Sequence, residues 1–237
     1  MGLLALSDFL SEIGAIVGNR TDLTAGRIIN ALNFAQDKIS QAQDFKELET
    51  LQTTATNYTG NPASDKYLPV PGNWKTVHSI VCQYGIDSRK LKNIPWRKFD
   101  RMYPMPEAVA AYIPIIYTHW NQKLVFMPVP NAVYVLNARV TTYPVKFTSS
   151  SALTQTSQFY GKDDILTAFA AGYLWNSFGR YDKATEFYNQ AQALLEVAMR
   201  ADSNRPDLDT AGSADDTYGV SGAYWANPWI TSVSDSQ

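Results

Sequence analysis

The sequence predicts an α+β protein in which N- and C-terminal helices pack as a helical bundle, with a small antiparallel β insert between them and an extended C-terminal arm. Apolar residues recur at helical spacing in residues 1–50 and 161–200, which predicts a helical hairpin in each. Residues 53–159 instead show short alternating runs punctuated by proline, a pattern typical of strand ends and edges. Residues 201–237 are polar and lose this periodicity.

The N-terminal hairpin has a recognisable signal at each helix end. Ser7 can cap the first helix and Gly18-Asn19 can end it, whereas Thr21 or Thr24 can start the second. The apolar stripes are Phe9, Leu10, Ile13, Ile16 and Val17 in the first helix, and Ile28, Leu32, Ala35, Ile39 and Ala42 in the second. The short linker predicts that the two helices pack as an antiparallel pair.

The β unit is predicted in the middle of the chain, together with one short helix. The predicted strands are residues 53–59, 76–84, 115–120, 123–127 and 134–140, and a helical turn covers residues 95–101. Residues 103–159 hold only four charged side chains, Glu107, Lys123, Arg139 and Lys146. In the last of these strands apolar and polar residues alternate, as expected for a strand with one buried face.

The C-terminal hairpin is predicted from two apolar stripes separated by Gly179, and we expect it to pack against residues 1–50. The stripes are Ile165, Leu166, Phe169, Tyr173 and Leu174, followed by Ala184, Phe187, Tyr188, Ala191, Leu194, Leu195 and Ala198. Asp163-Asp164 stands at the predicted start of the first helix, where carboxylates favour the helix dipole. We therefore interpret this acidic pair as capping rather than as acid–base chemistry.

Four large aromatic side chains, Tyr218, Tyr224, Trp225 and Trp229, stand in the polar tail. A tail that buries nothing is expected to be poor in aromatic residues. Large rings along a polar arm are typical of anchors that become buried on another surface. These four residues are the candidate docking site, and the alternative is that the tail folds back onto its own domain.

The charge balance argues against a protein that works by gripping nucleic acid. The formal net charge is −2, whereas phosphate neutralisation requires a clear basic excess. The densest basic and aromatic cluster is Trp96-Arg97-Lys98-Phe99 with Arg101. We interpret it as a structural helix with a basic outer face, and contact with DNA or RNA is the alternative.

The sequence offers no arrangement typical of an enzyme or a metal centre, so we expect no catalytic residue, cofactor or metal. His78 and His119 lie in apolar strand patterns with no second ligand at a metal-binding spacing. Cys82 is the single cysteine, and its apolar surroundings predict a buried thiol. No apolar run approaches the ~20 residues of a membrane span, and the N-terminus lacks the basic region of a signal peptide.

The layout resembles the head-to-tail adaptors of tailed bacteriophages, also called connector or head-completion proteins, including the tail-tubular gatekeepers of short-tailed phages. The resemblance covers residues 5–200 and rests on the order of these features rather than on one diagnostic motif. They are residues 33–39 of the second helix, the run Leu68-Pro-Val-Pro-Gly-Asn-Trp74, Phe99-Asp100 followed by Met105-Pro-Glu107, and the proline-rich segment from Leu124 to Pro144. The long aromatic tail departs from shorter members of that family.

The resemblance implies a structural virion protein, made in the host cytoplasm, that acts at the portal vertex. Its copies would form a ring, usually a dodecamer, that docks under the portal protein. This ring would attach the tail tube or nozzle proteins and pass DNA non-specifically through its lumen. The alternative function is a carbohydrate- or receptor-binding tail module that uses exposed Trp and Tyr for stacking.

Overall fold

The computed structural model describes residues 4–148 and 153–203, which contain six α-helices and eight strands. The helices are α1 (Leu6–Val17), α2 (Ala25–Ala42), α3 (Pro62–Asp65), α4 (Trp96–Met102), α5 (Asp163–Ser177) and α6 (Tyr181–Ser203). The strands are β1 (Glu49–Ala55), β2 (Tyr67–Pro69), β3 (Trp74–Tyr84), β4 (Asp87–Lys90), β5 (Lys92–Asn93), β6 (Ile116–Trp120), β7 (Lys123–Met127) and β8 (Val135–Thr142).

The end of α1 and the start of α2 follow the signals in the sequence. The predicted cap of α1 is wrong, because α1 begins at Leu6 with Ala5 at its N-cap position and Ser7 inside the helix. Gly18 ends α1 in the left-handed conformation, with φ of 89°, which glycine adopts without steric cost. Thr24 caps α2 by accepting a hydrogen bond from the amide of Arg27 at 3.4 Å, so Thr24 rather than Thr21 starts this helix. Phe9 and Ile13 are fully buried, as their spacing predicted.

Helices α1, α2, α5 and α6 contribute to one hydrophobic cluster. Helix α5 is the most central of these helices, and nine of its fifteen residues are buried. Gly172 allows α6 to approach α5 closely, because a Cβ atom at this position would lie 2.9 Å from the ring of Tyr188. The connecting segments complete the cluster with Phe45, Leu48, Phe147 and Phe159.

The strands form two four-stranded sheets, in the orders β1-β8-β3-β4 and β2-β7-β6-β5. A second hydrophobic cluster joins them and contains Ile80, Cys82, Leu136, Ala138 and Val140 from the first sheet and Leu68, Tyr117, Leu124 and Phe126 from the second. Consecutive strands β4 and β5 belong to different sheets, with buried Leu91 between them. The β portion therefore has a core of its own.

The prediction of a terminal helical bundle around a small antiparallel insert is wrong. The strands are substantial, and β5 pairs with β6 in parallel. The first strand begins at Glu49 rather than at residue 53, and it pairs with β8 along seven residues. The sequence missed β2 and β5 because strands of two or three residues are too short to show an alternating pattern. The Gly85-Ile-Asp-Ser run does predict the hairpin turn between β3 and β4, which the antiparallel pairing of these strands confirms.

A buried ion pair connects the segment before β1 to the start of α5. Lys162 bonds to Glu47, and the side chains are 9% and 18% exposed. The Lys162 ammonium also lies 4.6 Å from the ring centroid of Phe45. Nearby, the hydroxyl of Thr142 in β8 donates to the carbonyl of Leu48 at 3.3 Å. These contacts link the helical cluster to the first sheet.

Candidate functional site

The four tail residues predicted to dock onto a partner, Tyr218, Tyr224, Trp225 and Trp229, lie outside the described residues. Helix α6 continues to Ser203, directly before that part of the chain. The remaining candidates for function are therefore surface features of the described residues.

The basic and aromatic cluster at residues 96–101 forms helix α4, which packs on the outer face of the second sheet. Phe99 is 1% exposed and packs with Val125 and Met127 of β7. Arg97, Lys98 and Arg101 are exposed on the other side of the helix. The arrangement matches the expected structural helix with a basic outer face.

The structure adds Trp120 to this cluster. The rings of Trp96 and Trp120 stack with centroids 5.0 Å apart and planes inclined by 13°. Trp120 is nevertheless 53% exposed, and it lies at the end of β6 directly opposite Lys123 in β7. We call the set Trp96, Arg97, Lys98, Arg101, Trp120 and Lys123 the Trp120 patch.

A tight turn places Trp120 at this edge. Asn121 and Gln122 have φ of 47° and 56°, the left-handed values of a two-residue hairpin turn that matches the twist of its strands. The sequence indicated this hairpin. It gave no indication that Trp120 would stack on a ring 24 positions earlier, because stacking depends on how α4 docks on the sheet.

The Trp120 patch carries a local positive charge. It holds four exposed cations, and Asp100 is the exposed carboxylate on the same helix. The neighbouring Lys66 is neutralised by Glu107, 2.8 Å away. Burial lowers the pKa of Lys66, but the hydrogen bond and charge of Glu107 outweigh it and hold that pKa above its usual value. Lys66 therefore adds little to the charge of the patch.

A second surface feature is a groove of about 260 Å³ between α1 and α6, which we call the α1–α6 groove. Its apolar walls include Ile16, Phe187 and Leu194, and the exposed carboxylates of Glu12 and Asp164 stand among its lining residues. No Lys or Arg is among the lining residues described by the structure. The groove is thus apolar inside and acidic at its rim.

The α1–α6 groove also contains a polar group without a partner. Thr167 of α5 lines the groove and is 5% exposed. Within the described ranges, its hydroxyl oxygen has no hydrogen-bond partner. A buried hydroxyl without a hydrogen bond is costly, so this oxygen is a local cost to the stability of the fold.

The residues considered for catalysis do not converge. His78 is hydrogen-bonded to the Thr141 hydroxyl at 2.7 Å, and His119 is exposed on β6. Cys82 is fully buried, and this burial raises the pKa of its thiol to about 11. The described part of the chain contains no group of three or more His, Cys, Asp or Glu residues that could hold a metal ion.

Asp163 has a second role besides the one predicted at the helix start. Its carboxylate accepts a hydrogen bond from the amide of Leu4 at 3.2 Å and so holds the N-terminal segment against the start of α5. Burial, together with the charge of Asp164, raises the pKa of Asp163. Asp163 and Asp164 both lie in the first turn of α5, where carboxylates favour the helix dipole, as the sequence predicts. The hydrogen bond from Leu4 is an additional role that the sequence did not indicate.

None of the helices in the described ranges combines the length and the apolar character needed to span a membrane.

No curated protein matches the chain. A family model described as SU10 adaptor protein matches residues 4–218, which includes the whole of both sheets and all six helices. The chain therefore belongs to the SU10 adaptor protein family, a family of phage adaptor proteins.

Proposed function

We propose that the protein is a head-to-tail adaptor of the virion. Its copies form a ring under the portal, the ring attaches the tail, and DNA passes through its lumen. The family match over residues 4–218 is the observation that carries this proposal. The exposed Trp120 patch supports it, since Trp, Met and Arg are enriched in protein interfaces. Met102 and Met105, which follow in the same segment, are 39% and 64% exposed.

The charge of the chain supports passage of DNA without tight binding. Each phosphate neutralised by a Lys or Arg increases affinity and makes it depend steeply on salt. With a formal net charge of −2, the protein has no overall basic excess to hold DNA. A ring of such subunits offers a lumen through which DNA can move during ejection.

The polar tail is the proposed portal-docking arm. Tyr218, Tyr224, Trp225 and Trp229 supply the large apolar side chains that a polar arm needs to hold a partner. Full burial of one such side chain stabilises a contact by roughly 1.5–3 kcal/mol. The entropy of ordering the arm offsets part of that gain.

The proposed role is structural rather than catalytic. It assigns packing roles to His78 and Cys82, which lie within the first sheet, and no chemical role to His119. The variant with His78→Gln and His119→Gln is therefore expected to retain full function in any assay of assembly.

Complementation of defective particles tests the proposal. Phage particles made without this protein are expected to contain DNA-filled heads that do not bind tails. Adding the purified protein with free tails should restore tail attachment and infectivity, counted by electron microscopy and plaque assay. The double histidine variant is the matched control and should restore both equally. Heads that bind tails and infect normally without the protein would overturn the proposal.

A further inference from the structure

The geometry points to a specific contact between neighbouring copies of this chain: the Trp120 patch of one copy inserts into the α1–α6 groove of the next. This inference rests on the proposed ring and names the surfaces that build it. Both surfaces are present on every copy, and they are lined by different elements, α4 with β6 and β7 in one case and α1, α5 and α6 in the other.

The two surfaces carry opposite charge. Arg97, Lys98, Arg101 and Lys123 surround Trp120, whereas Glu12 and Asp164 are the charged residues among those that line the groove. Complementary charge across an interface guides association and suppresses wrong pairings. Two copies of the Trp120 patch would instead repel each other, as would two copies of the groove.

Size and polarity also match. The groove volume of about 260 Å³ accommodates one large aromatic side chain, and its apolar walls suit the face of an indole ring. One side of the Trp120 ring is held by Trp96, so the side chain is ordered before it binds.

Contact between two different surfaces has a consequence for symmetry. A surface that pairs with itself produces a closed dimer, whereas a head-to-tail contact continues from copy to copy and closes into a ring when the rotation permits. The Trp120 patch and the α1–α6 groove make a contact of the second kind. The inference thus accounts for a ring in which every contact between neighbouring copies is the same.

Site-specific cross-linking tests this contact. The single native cysteine, Cys82, is fully buried, so introduced thiols are the reactive ones. A chain carrying both Lys123→Cys and Gln190→Cys should form, on mild oxidation, a ladder of dimers, trimers and higher multimers on a non-reducing gel. Gln190 lines the groove and Lys123 belongs to the patch.

The matched control replaces Gln190→Cys by Gln192→Cys, the same change two positions further along α6. Residues two apart do not share a helix face, and Gln192 is exposed but is not among the groove-lining residues. This control should give less than one tenth of the ladder. Equal ladders from the two variants, or a product that stops at the dimer, would overturn the inference.

Charge reversal provides the second measurement. The variant with Arg97→Glu and Lys123→Glu should need at least a tenfold higher protein concentration to assemble, as measured by light scattering. The midpoint of its unfolding in urea should be unchanged. Adding Glu12→Lys and Asp164→Lys to the same chain should restore assembly. Failure of this rescue would contradict the inference.

The outcomes separate this inference from the proposed function. If the wild-type chain multimerises alone or on a portal but the Lys123→Cys, Gln190→Cys variant gives no ladder, the inference fails and the adaptor function stands. If Trp120→Ala leaves the ring intact and prevents tail attachment, the patch docks a tail protein and the inference is again wrong. A wild-type chain that stays monomeric in both conditions contradicts the adaptor function itself.

Discussion

Truncation after Ser203 is expected to leave the fold intact and to abolish docking on the portal. The compact unit formed by the first part of the chain ends at Met199, so the truncation removes none of its residues. The deleted segment carries Tyr218, Tyr224, Trp225 and Trp229. At roughly 1.5–3 kcal/mol for each buried side chain, their loss should weaken portal binding by several orders of magnitude even after the cost of ordering the arm. Circular dichroism melting and a portal-binding titration would measure the two effects.

A pair of matched variants locates this effect within the tail. Trp225→Ala with Trp229→Ala should weaken portal binding at least a hundredfold, because large aromatic anchors dominate the binding energy of interfaces. Thr231→Ala with Ser232→Ala, in the same segment, should have little effect. A truncated protein that binds the portal as tightly as the full chain would remove the tail from the docking mechanism.

The single substitution Lys162→Met is expected to destabilise the protein by about 3–5 kcal/mol, because it leaves the largely buried carboxylate of Glu47 without its partner. A loss of this size should lower the Tm by roughly 10 °C in a protein of this length. Adding Glu47→Leu should recover most of the loss, since a buried ion pair replaced by apolar side chains is often close to neutral. Urea and thermal unfolding of the two single variants and the double variant would measure the coupling.

Lys146→Met is the matched control for this cycle. The same chemical change removes the ion pair between Lys146 and Asp37, whose side chains are 42% and 46% exposed. Exposed pairs contribute about 0–1 kcal/mol, so the control should change the Tm by only a few degrees. Equal losses from Lys162→Met and Lys146→Met would show that burial does not determine the strength of these pairs.

The sequence predicts the long helices well because their signals are local. The recurrence of Phe9, Ile13 and Val17 placed the buried face of α1, and Gly18 placed its end. The same holds for the long strands, since β3 and β8 cover most of the residues predicted for them. In these elements the burial pattern is contained in one continuous stretch of the sequence.

The fold around these elements depends on contacts between distant residues. Lys92-Asn93 is a strand because it pairs with Ile116 and Tyr117, and two residues carry no period of their own. For the same reason the sequence could not indicate that Asp163 bonds to Leu4, or that Trp96 stacks on Trp120. The β portion was underestimated because its second sheet is assembled largely from such short segments.

Some of the candidate functional surfaces could be predicted from the sequence, and others could not. The four tail aromatics stand out in the sequence because they interrupt a polar composition, and their docking role stays a prediction. The α1–α6 groove could not be found from sequence, because it requires Ile16 of α1 to stand opposite Phe187 of α6. The sequence showed part of the Trp120 patch as the basic and aromatic cluster at residues 96–101. It did not indicate that the exposed ring of Trp120 joins this cluster.

The mass of the purified protein in solution, alone and after mixing with portal rings, tests the adaptor role most directly. Native mass spectrometry or mass photometry would give the number of copies in each condition. We predict either a stable ring of many copies or a monomer that assembles into such a ring when portal is added. A protein that remains monomeric and does not associate with the portal would contradict this account.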